Sequence, residues 1–409
     1  MEYIRLSDCA FYRNERTNKI DCDTYISTEN MLPNRAGITV ADALPDAINV
    51  SKYLPNDILL SNIRPYFKKI WFANREGGCS NDILVVAAKQ NILASFLYYV
   101  LSDDTFFHYS SVTSKGTKMP RGTPNAIMKY PVPHPDEHDQ QRIVSILSAY
   151  DNLIEVNNKR IKVLEQMAEN LYKEWFVRFR FPGHETVGFT DSKLGRIPNT
   201  FSIIKMQDAF DYYIGGGWGN DDIDEDFPVE AYVIRGTDFP HVSRGDVSSC
   251  PLRYHKKSNY DARELKADDV ILEVSGGTAE QPVGRTLLVS DSILRRLGNK
   301  VICASFCKLI RLRKEVISPV YYYYWMQYLY NTRIIDRFQL QSTGIINFQF
   351  EYFLRKGEIL LPPNDIINDF DAQVRFIHGE IAILAEQNEK LIQQRDLLLP
   401  RLMSGKLEV

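Results

Sequence analysis

Two stretches of this chain repeat apolar residues at alternating spacings of three and four, the period that keeps one face of an α-helix buried. In the first, Ile143, Leu147, Tyr150, Ile154, Ile161, Leu164, Ala168, Leu171 and Trp175 make the seam, and Asn157 fills its one polar position. In the second the seam is Phe370, Val374, Ile377, Ile381, Leu384, Asn388, Leu391, Arg395 and Leu398. The entrances are Pro135-Asp136 and Pro363-Asn364-Asp365. Proline disfavours helix in the residue before it, and Asp136 can accept a hydrogen bond from a free first-turn N–H. The first pattern runs out before Pro182-Gly183; Pro400 should bend or end the second helix, and Gly405 should terminate its last turn. A helix of about 40 residues is roughly 60 Å long.

Sustained three-four spacing favours two helices packed on each other over one amphipathic helix lying on a globular body. Layers counted forwards from Ile143 and backwards from Leu402 put Asn157 opposite Asn388 and Trp175 opposite Phe370. They also put Tyr150 opposite Arg395, where a cation–π contact can form. The helices are therefore expected to run antiparallel, with Asn157 and Asn388 as neighbours that fix the register at some cost in stability.

Around these helices the chain repeats itself with a period of roughly 230 residues, too long for a solenoid and suited to two whole domains. Asp57-Ile58-Leu59-Leu60 matches Asp269-Val270-Ile271-Leu272, each a short buried strand after a polar turn. The apolar helical block Phe96 to Leu101 matches Tyr324 to Leu329, and Ser114 and Gly116 match Ser342 and Gly344. Proline-rich stretches follow at Tyr130-Pro131-Val132-Pro133 and Leu360-Leu361-Pro362-Pro363, and a long helix closes each half. Two similar domains on two antiparallel helices imitate a symmetric dimer, the arrangement that suits separated half-sites on duplex DNA. Because the halves differ in sequence, the half-sites should differ too.

Composition changes little in this picture. With 409 residues, 44% hydrophobic and 25% charged, the chain can build more than one core. Lys and Arg number 49 against 52 Asp and Glu, which argues against a chain that coats nucleic acid wholesale but leaves room for local basic surfaces. Six scattered cysteines without a CxxC, a charged MEYIRLSD opening and the lack of a long apolar run suggest a reduced cytoplasmic protein with no membrane partner.

The segment PVPHPDEHDQQRIVSILSAYDNLIEVNNKRIKVLEQMAENLYKEWFVRF resembles the central conserved helix of type I restriction-modification DNA specificity subunits. Gln140 or Gln141, Ile143, Tyr172, Trp175 and Phe176 supply that family's features, and RDLLLPRLMSGKLEV is similar to its C-terminal helix end. YISTENML and the GGGW to VIRGTDF stretch look like openings of its target recognition domains. The resemblance implies an α+β fold: two β-rich target recognition domains related by a pseudo-twofold, joined by two long antiparallel helices in a coiled coil. The expected domains are 1–133 and 181–361 for recognition, 134–180 for the central helix and 362–409 for the C-terminal helix. It implies a subunit with no chemistry and no cofactor of its own, partnered by double-stranded DNA and by two methyltransferase subunits that use S-adenosylmethionine. Restriction subunits that use ATP and Mg can join that core. The competing reading is a coiled-coil adaptor that binds only proteins.

The chemistry of an enzyme is missing from the sequence. There is no Asn/Asp-Pro-Pro-aromatic motif for adenine methylation, no G-x-G-x-x-G and no Walker A sequence. Gly215 to Gly219 reads as a mobile loop able to approach a phosphate or base, or as a plain turn. Cys303 and Cys307 lie four apart in a β-like run and would share a face, but no second pair completes a zinc site. His134 and His138 read as solvated residues at the helix entrance. Candidate DNA contacts are Arg64, Lys68, Lys69, Lys115, Lys118 and Arg121 in the first half, and Arg235, Arg244, Arg253, His255, Lys256 and Lys257 in the second. The acidic run Asp221 to Asp226 should face away from phosphates or toward a basic partner, and Tyr321 to Trp325 reads as a packed helix rather than a stacking platform.

Overall fold

A computed structural model describes residues 2–277, 281–342 and 345–407; Gly344, matched above with Gly116, lies outside them. The chain is α+β and divides into two compact units, Met1–Ile154 with Lys390–Val409, and Glu155–Glu389. The two long helices, Glu137–Tyr172 and Asn364–Met403, each contribute a segment to both units.

The first unit is built on an antiparallel sheet of Ala10–Tyr12, Ile83–Ala88, Ile58–Ser61 and Ile70–Phe72, in that spatial order. The second unit has Phe210–Gly215, Cys307–Leu312, Val270–Glu273 and Thr286–Leu288 in the same arrangement. In each, the first strand in the chain pairs with the fourth, the fourth with the second, and the second with the third. Residues 58–61 and 270–273 are buried along their whole length because apolar clusters cover both sheet faces. Ile58 and Leu60 enter one cluster and Leu59 another, and Val270 and Leu272 are likewise separated from Ile271. A strand covered on two faces loses the apolar-polar alternation of a half-exposed strand, which explains the runs of aliphatic residues.

The polar turn before each of these strands is closed by a buried carboxylate. Asp57 accepts from Leu54 N–H at 2.7 Å and from Arg13 Nε and Nη2 at 2.6 and 2.9 Å. Asp269 accepts from Lys266 N–H at 2.7 Å and from Arg311 Nε and Nη2 at 2.8 and 2.7 Å. Burial of either carboxylate would be costly without such bidentate partners.

In the second unit the helical segments run in opposite directions: Asn157 Nδ2 donates to Asn388 Oδ1 at 3.0 Å, while Trp175 and Phe370 place their rings 6.1 Å apart. Asn388 Nδ2 donates in turn to Asn158 Oδ1 at 2.9 Å, so a buried asparagine pair, extended to the exposed Asn158, sits within an otherwise apolar seam. In the first unit Ile143 and Leu147 share a cluster with Leu399, Leu402 and Met403. There the Arg395 guanidinium goes to a carboxylate and not to the Tyr150 ring: it donates to Asp151 Oδ1 at 2.7 Å and to Asp396 Oδ1. An ionised partner in reach outcompetes the weaker pull of a ring quadrupole.

The entrance of the first helix is capped by Asp136, which accepts from Asp139 N–H at 2.9 Å. Gln140, not Gln141, is the buried glutamine; it accepts from Leu93 N–H and donates to Pro135 O. The helix winds wider over Lys173–Val177, bringing Trp175 and Phe176 into the core. Pro400, expected to bend or end the second helix, lies within it. Burial of Leu402 and Met403 just beyond it holds the next turn in place. Gly405 then ends the helix at φ +67°, with Lys406 N–H reaching back to Arg401 O. Among the described residues no helix is long and apolar enough to cross a membrane.

Helix Pro319–Asn331 buries Tyr321, Tyr322, Tyr324 and Trp325 in the second core. Tyr324 Oη lies 2.8 Å from His378 Nε2, and burial pushes the His378 pKa down to about 4. Above the ordinary histidine value of about 6.5 the imidazole is neutral whether the chain is folded or not. Below it the unfolded chain takes up a proton that the folded one refuses, so stability falls until about pH 4. Denaturant titrations across this window should show a steeper loss of stability for the natural chain than for His378→Gln, and equal slopes would refute the assignment. For the amide network, Asn157→Leu alone should destabilise the second unit by about 1–3 kcal/mol, leaving Asn388 short of one partner. Asn157→Leu with Asn388→Leu should recover most of that loss in the same denaturation assay.

Candidate nucleic-acid interface

In each unit a parallel pair of strands leads into a loop corner at the end of the main sheet. Tyr25–Ile26 pairs with Gly77–Cys79, and Val229–Ile234 pairs with Val301–Cys303. The residue after the first strand is locked by the same turn in both: Ser27 N–H donates to Asn30 Oδ1 at 2.6 Å, and Arg235 N–H to Asp238 Oδ2 at 2.8 Å. The strand registers make Ser27 the counterpart of Arg235, Lys69 of Arg285 and Asp82 of Phe306.

The first corner gathers several of the expected cations. Arg64 N–H donates to Pro120 O at 2.8 Å, and Lys115 and Arg121 exchange both backbone hydrogen bonds. Arg64, Lys115, Lys118 and Arg121 thus share one pair of adjoining loops; the last three are exposed. Arg121 faces Asp82 at 3.1 Å. Lys68 pairs with Asp104 at 2.9 Å, and Lys69 donates to Thr28 O at 2.6 Å, where burial lowers its pKa. Arg64 and Lys68 adopt left-handed backbone, φ +49° and +52°, flanking the Pro65–Phe67 turn. Asn34 and Arg35, also left-handed, donate their N–H groups to Phe67 O and Lys68 O and hold the turn there. Such conformations cost of order 1 kcal/mol each and survive only where surrounding structure imposes them. The turn presents Tyr66 and Phe67, 51% and 39% exposed, beside Arg64.

The cations expected in the second half do not gather in one place. Arg253 and His255 are buried, withdrawn from any surface contact. Arg253 lies 4.8 Å over the Trp218 ring and pairs with Asp221, so the acidic run faces a cation of its own unit. His255 is held neutral by burial, which lowers its pKa. Arg244 is bound to Glu165 on the long helix, Lys257 to Asp261, and Lys256 lies over Phe227. Of the six, Arg235 alone lines the corner cleft, which it shares with Trp218, Thr237, Arg285 and Phe306. Arg285, Trp218 and Phe306 were missed by the sequence reading; an insertion between the paired strands shifts Arg285 out of alignment with Lys69.

Of the two readings of Gly215 to Gly219, the backbone contacts favour the turn: Gly216 and Gly217 donate to Cys307 O and Cys303 O, both at 2.9 Å. A Cβ on Gly216 would fall 2.1 Å from Ala304 O, so glycine is required for this close backbone approach. Cys303 and Cys307 do not share one strand face; they lie in two different sheets, joined by the turn between them. Both are buried in an apolar cluster, and burial pushes the Cys303 thiol up to about 12, the opposite of what a metal ligand needs. At the helix entrance Asp136 serves as a cap, and His134 Nε2 lies 3.0 Å from Asn91 O.

Residues 10–166 match the family model described as "Type I restriction modification DNA specificity domain". The chain is 23% identical over 345 residues to the type I restriction enzyme MjaIX specificity subunit of Methanocaldococcus jannaschii, covering 79% of this chain and 71% of that protein. It is 24% identical over 401 residues to the type I restriction enzyme HindI specificity subunit of Haemophilus influenzae, with 86% of each covered. Its fold is similar to the crystal structure of the type I restriction-modification system S subunit from M. genitalium, at TM-score 0.53 and 10% identity, covering 98% and 96% of the two chains.

The loop contacts make a direct prediction. Gly216→Ala should destabilise the second unit by more than about 2 kcal/mol, whereas Gly217→Ala, whose added methyl would meet nothing closer than 3.5 Å, should change it by less than about 1 kcal/mol. Thermal unfolding of the two variants distinguishes this from a loop that is free to move, for which both changes would be small.

Proposed function

We propose that the chain is a non-catalytic DNA specificity subunit of the type I restriction-modification kind, and that it reads an asymmetric, two-part DNA sequence through its two units. The observation that carries this reading is the corner built twice on one strand order with unlike side chains. Ser27, Lys69 and Asp82 occupy in one unit the places of Arg235, Arg285 and Phe306 in the other. Equal scaffolds would engage equivalent positions on DNA, and unequal side chains would select unequal bases. In the first unit Lys115 and Lys118, exposed and without an ion-pair partner among the described residues, supply phosphate contacts alongside Arg64 and Arg121. In the second, Arg235 and Arg285 line the cleft and are the candidates for base contacts.

In this reading the units are target recognition domains related by a pseudo-twofold. The long helices pair as an antiparallel coiled coil whose length sets the gap between half-sites. Two methyltransferase subunits carrying S-adenosylmethionine dock on the helices, and ATP- and Mg-dependent restriction subunits join them. The helices expose apolar residues that their own units leave uncovered: Leu153 and Leu397 in one, Val156, Val163, Met167, Phe376 and Ile383 in the other. Such surfaces on charged helices suit a protein partner.

The test uses the chain assembled with its methyltransferase and a randomised duplex library. One heptad inserted in each long helix should lengthen the gap and leave both half-site sequences unchanged; altered base identity in either half would count against the reading. Lys118→Ala should weaken binding equally on all sequences and reduce the slope of log affinity against log salt by about one. A protein-only adaptor would show no salt-sensitive DNA affinity even in the assembly.

A further inference from the structure

We infer that Arg235 is a specificity-determining residue that reads a guanine in the half-site engaged by the second unit, and that buried Asp238 is its positioning residue. This deepens the DNA-reading function proposed above and rests on it.

The guanidinium is fixed before any ligand arrives. Arg235 Nε donates to Asp238 Oδ2 at 2.9 Å, and Nη2 to Asp238 Oδ1 at 2.8 Å and to Ser249 O at 2.8 Å. Asp238 is 2% exposed and is itself held by the Arg235 backbone N–H and by Ser249 Oγ at 2.9 Å. The fork therefore cannot swing as a free surface arginine does, and little side-chain entropy remains to be lost on binding. Among the described residues Nη1 has no partner, and the side chain keeps 39% of its surface exposed.

The pairing also decides what the residue can recognise. A carboxylate held at hydrogen-bond distance cancels most of the arginine's charge, so Arg235 is a weak anchor for a phosphate. It keeps directional N–H groups, which a neutral base edge can use. The groups left free are the two N–H of Nη1, and guanine offers them two adjacent acceptors, O6 and N7, on one edge. The surroundings agree: Arg285 is likewise bound, by Glu273 at 2.8 and 2.6 Å, so the cleft carries paired charges rather than a cationic field. Phe306 stands 67% exposed in the same cleft and offers an apolar surface. In the first unit the same turn presents Ser27 on Asn30, a short side chain without a guanidinium. The two half-sites should therefore differ at the equivalent position, with the requirement for guanine confined to one.

The experiment compares the methyltransferase-bound assembly carrying the natural chain, Arg235→Ala, Arg235→Gln or Asp238→Asn on a duplex library randomised across both half-sites, read by sequencing of bound DNA. The natural assembly should require guanine at one position. Arg235→Ala and Arg235→Gln should each lower that preference at least tenfold, and Asp238→Asn should lower it while the arginine remains. Every other position should be unaffected, and retention of the first unit's half-site reports that the assembly is intact. If Arg235→Ala disturbs both half-sites, Arg235→Gln decides. An equal loss on all sequences with a smaller salt slope would make Arg235 a phosphate contact and overturn the inference, as would an unchanged guanine preference. If the natural assembly selects no sequence at all, the parent reading fails, an outcome recognisable before any variant is made.

Discussion

Two long helices with a single apolar seam cannot remain exposed in water, and the seam they find must match their asparagine layer. Asn157 is buried on its helix, and its amide would be costly to bury unpaired. Only a neighbour with both a donor and an acceptor can satisfy it without a net charge, and Asn388 is such a neighbour. A slip of one heptad would break this pair, setting Asn157 against Ile381 or Arg395 and Asn388 against Tyr150 or Leu164. The interaction is weak as a source of stability and strong as a selector of register.

The sheets of the two units answer a different constraint. A central strand covered on both faces must be aliphatic where its side chains enter the two clusters, so residues 58–60 and 270–272 tolerate little variation in character. The turns before them are tied by Asp57 and Asp269 to arginines from different places in the chain, Arg13 and Arg311. Loops beyond the strand ends face no such demand. Recognition residues can therefore diverge between the halves while the scaffold that positions them does not.

Electrostatics separates the expected cations and those of the cleft into two kinds. Lys115 and Lys118 stand in solvent and keep their full charge for a polyanion. Arg235, Arg253 and Arg285 are bound to carboxylates, which trades charge for orientation. Counting basic residues cannot distinguish these groups, because the carboxylate that neutralises an arginine can come from a distant part of the chain, as Asp221 does for Arg253.

The sequence by itself determined what depends on local periodicity and order. The two helices and their seam positions, the buried strands after Asp57 and Asp269, the helix terminated at Gly405 and the lack of an enzyme's motifs all follow from neighbours a few residues apart. Apart from the Asn157–Asn388 pair and the Asp136 cap, both readable in the sequence, tertiary structure alone decided which partner a polar group took. It gave Arg395 to Asp151 instead of Tyr150, carried the helix through Pro400 by burying Leu402 and Met403, and laced Gly216 and Gly217 to Cys307 and Cys303. It also withdrew Arg253 and His255 from the surface and brought Arg285, Trp218 and Phe306 to the cleft beside Arg235. The physical reason is one of range. Periodicity is written in adjacent turns and strands, whereas burial and hydrogen-bond partnership arise only when segments far apart in the chain converge.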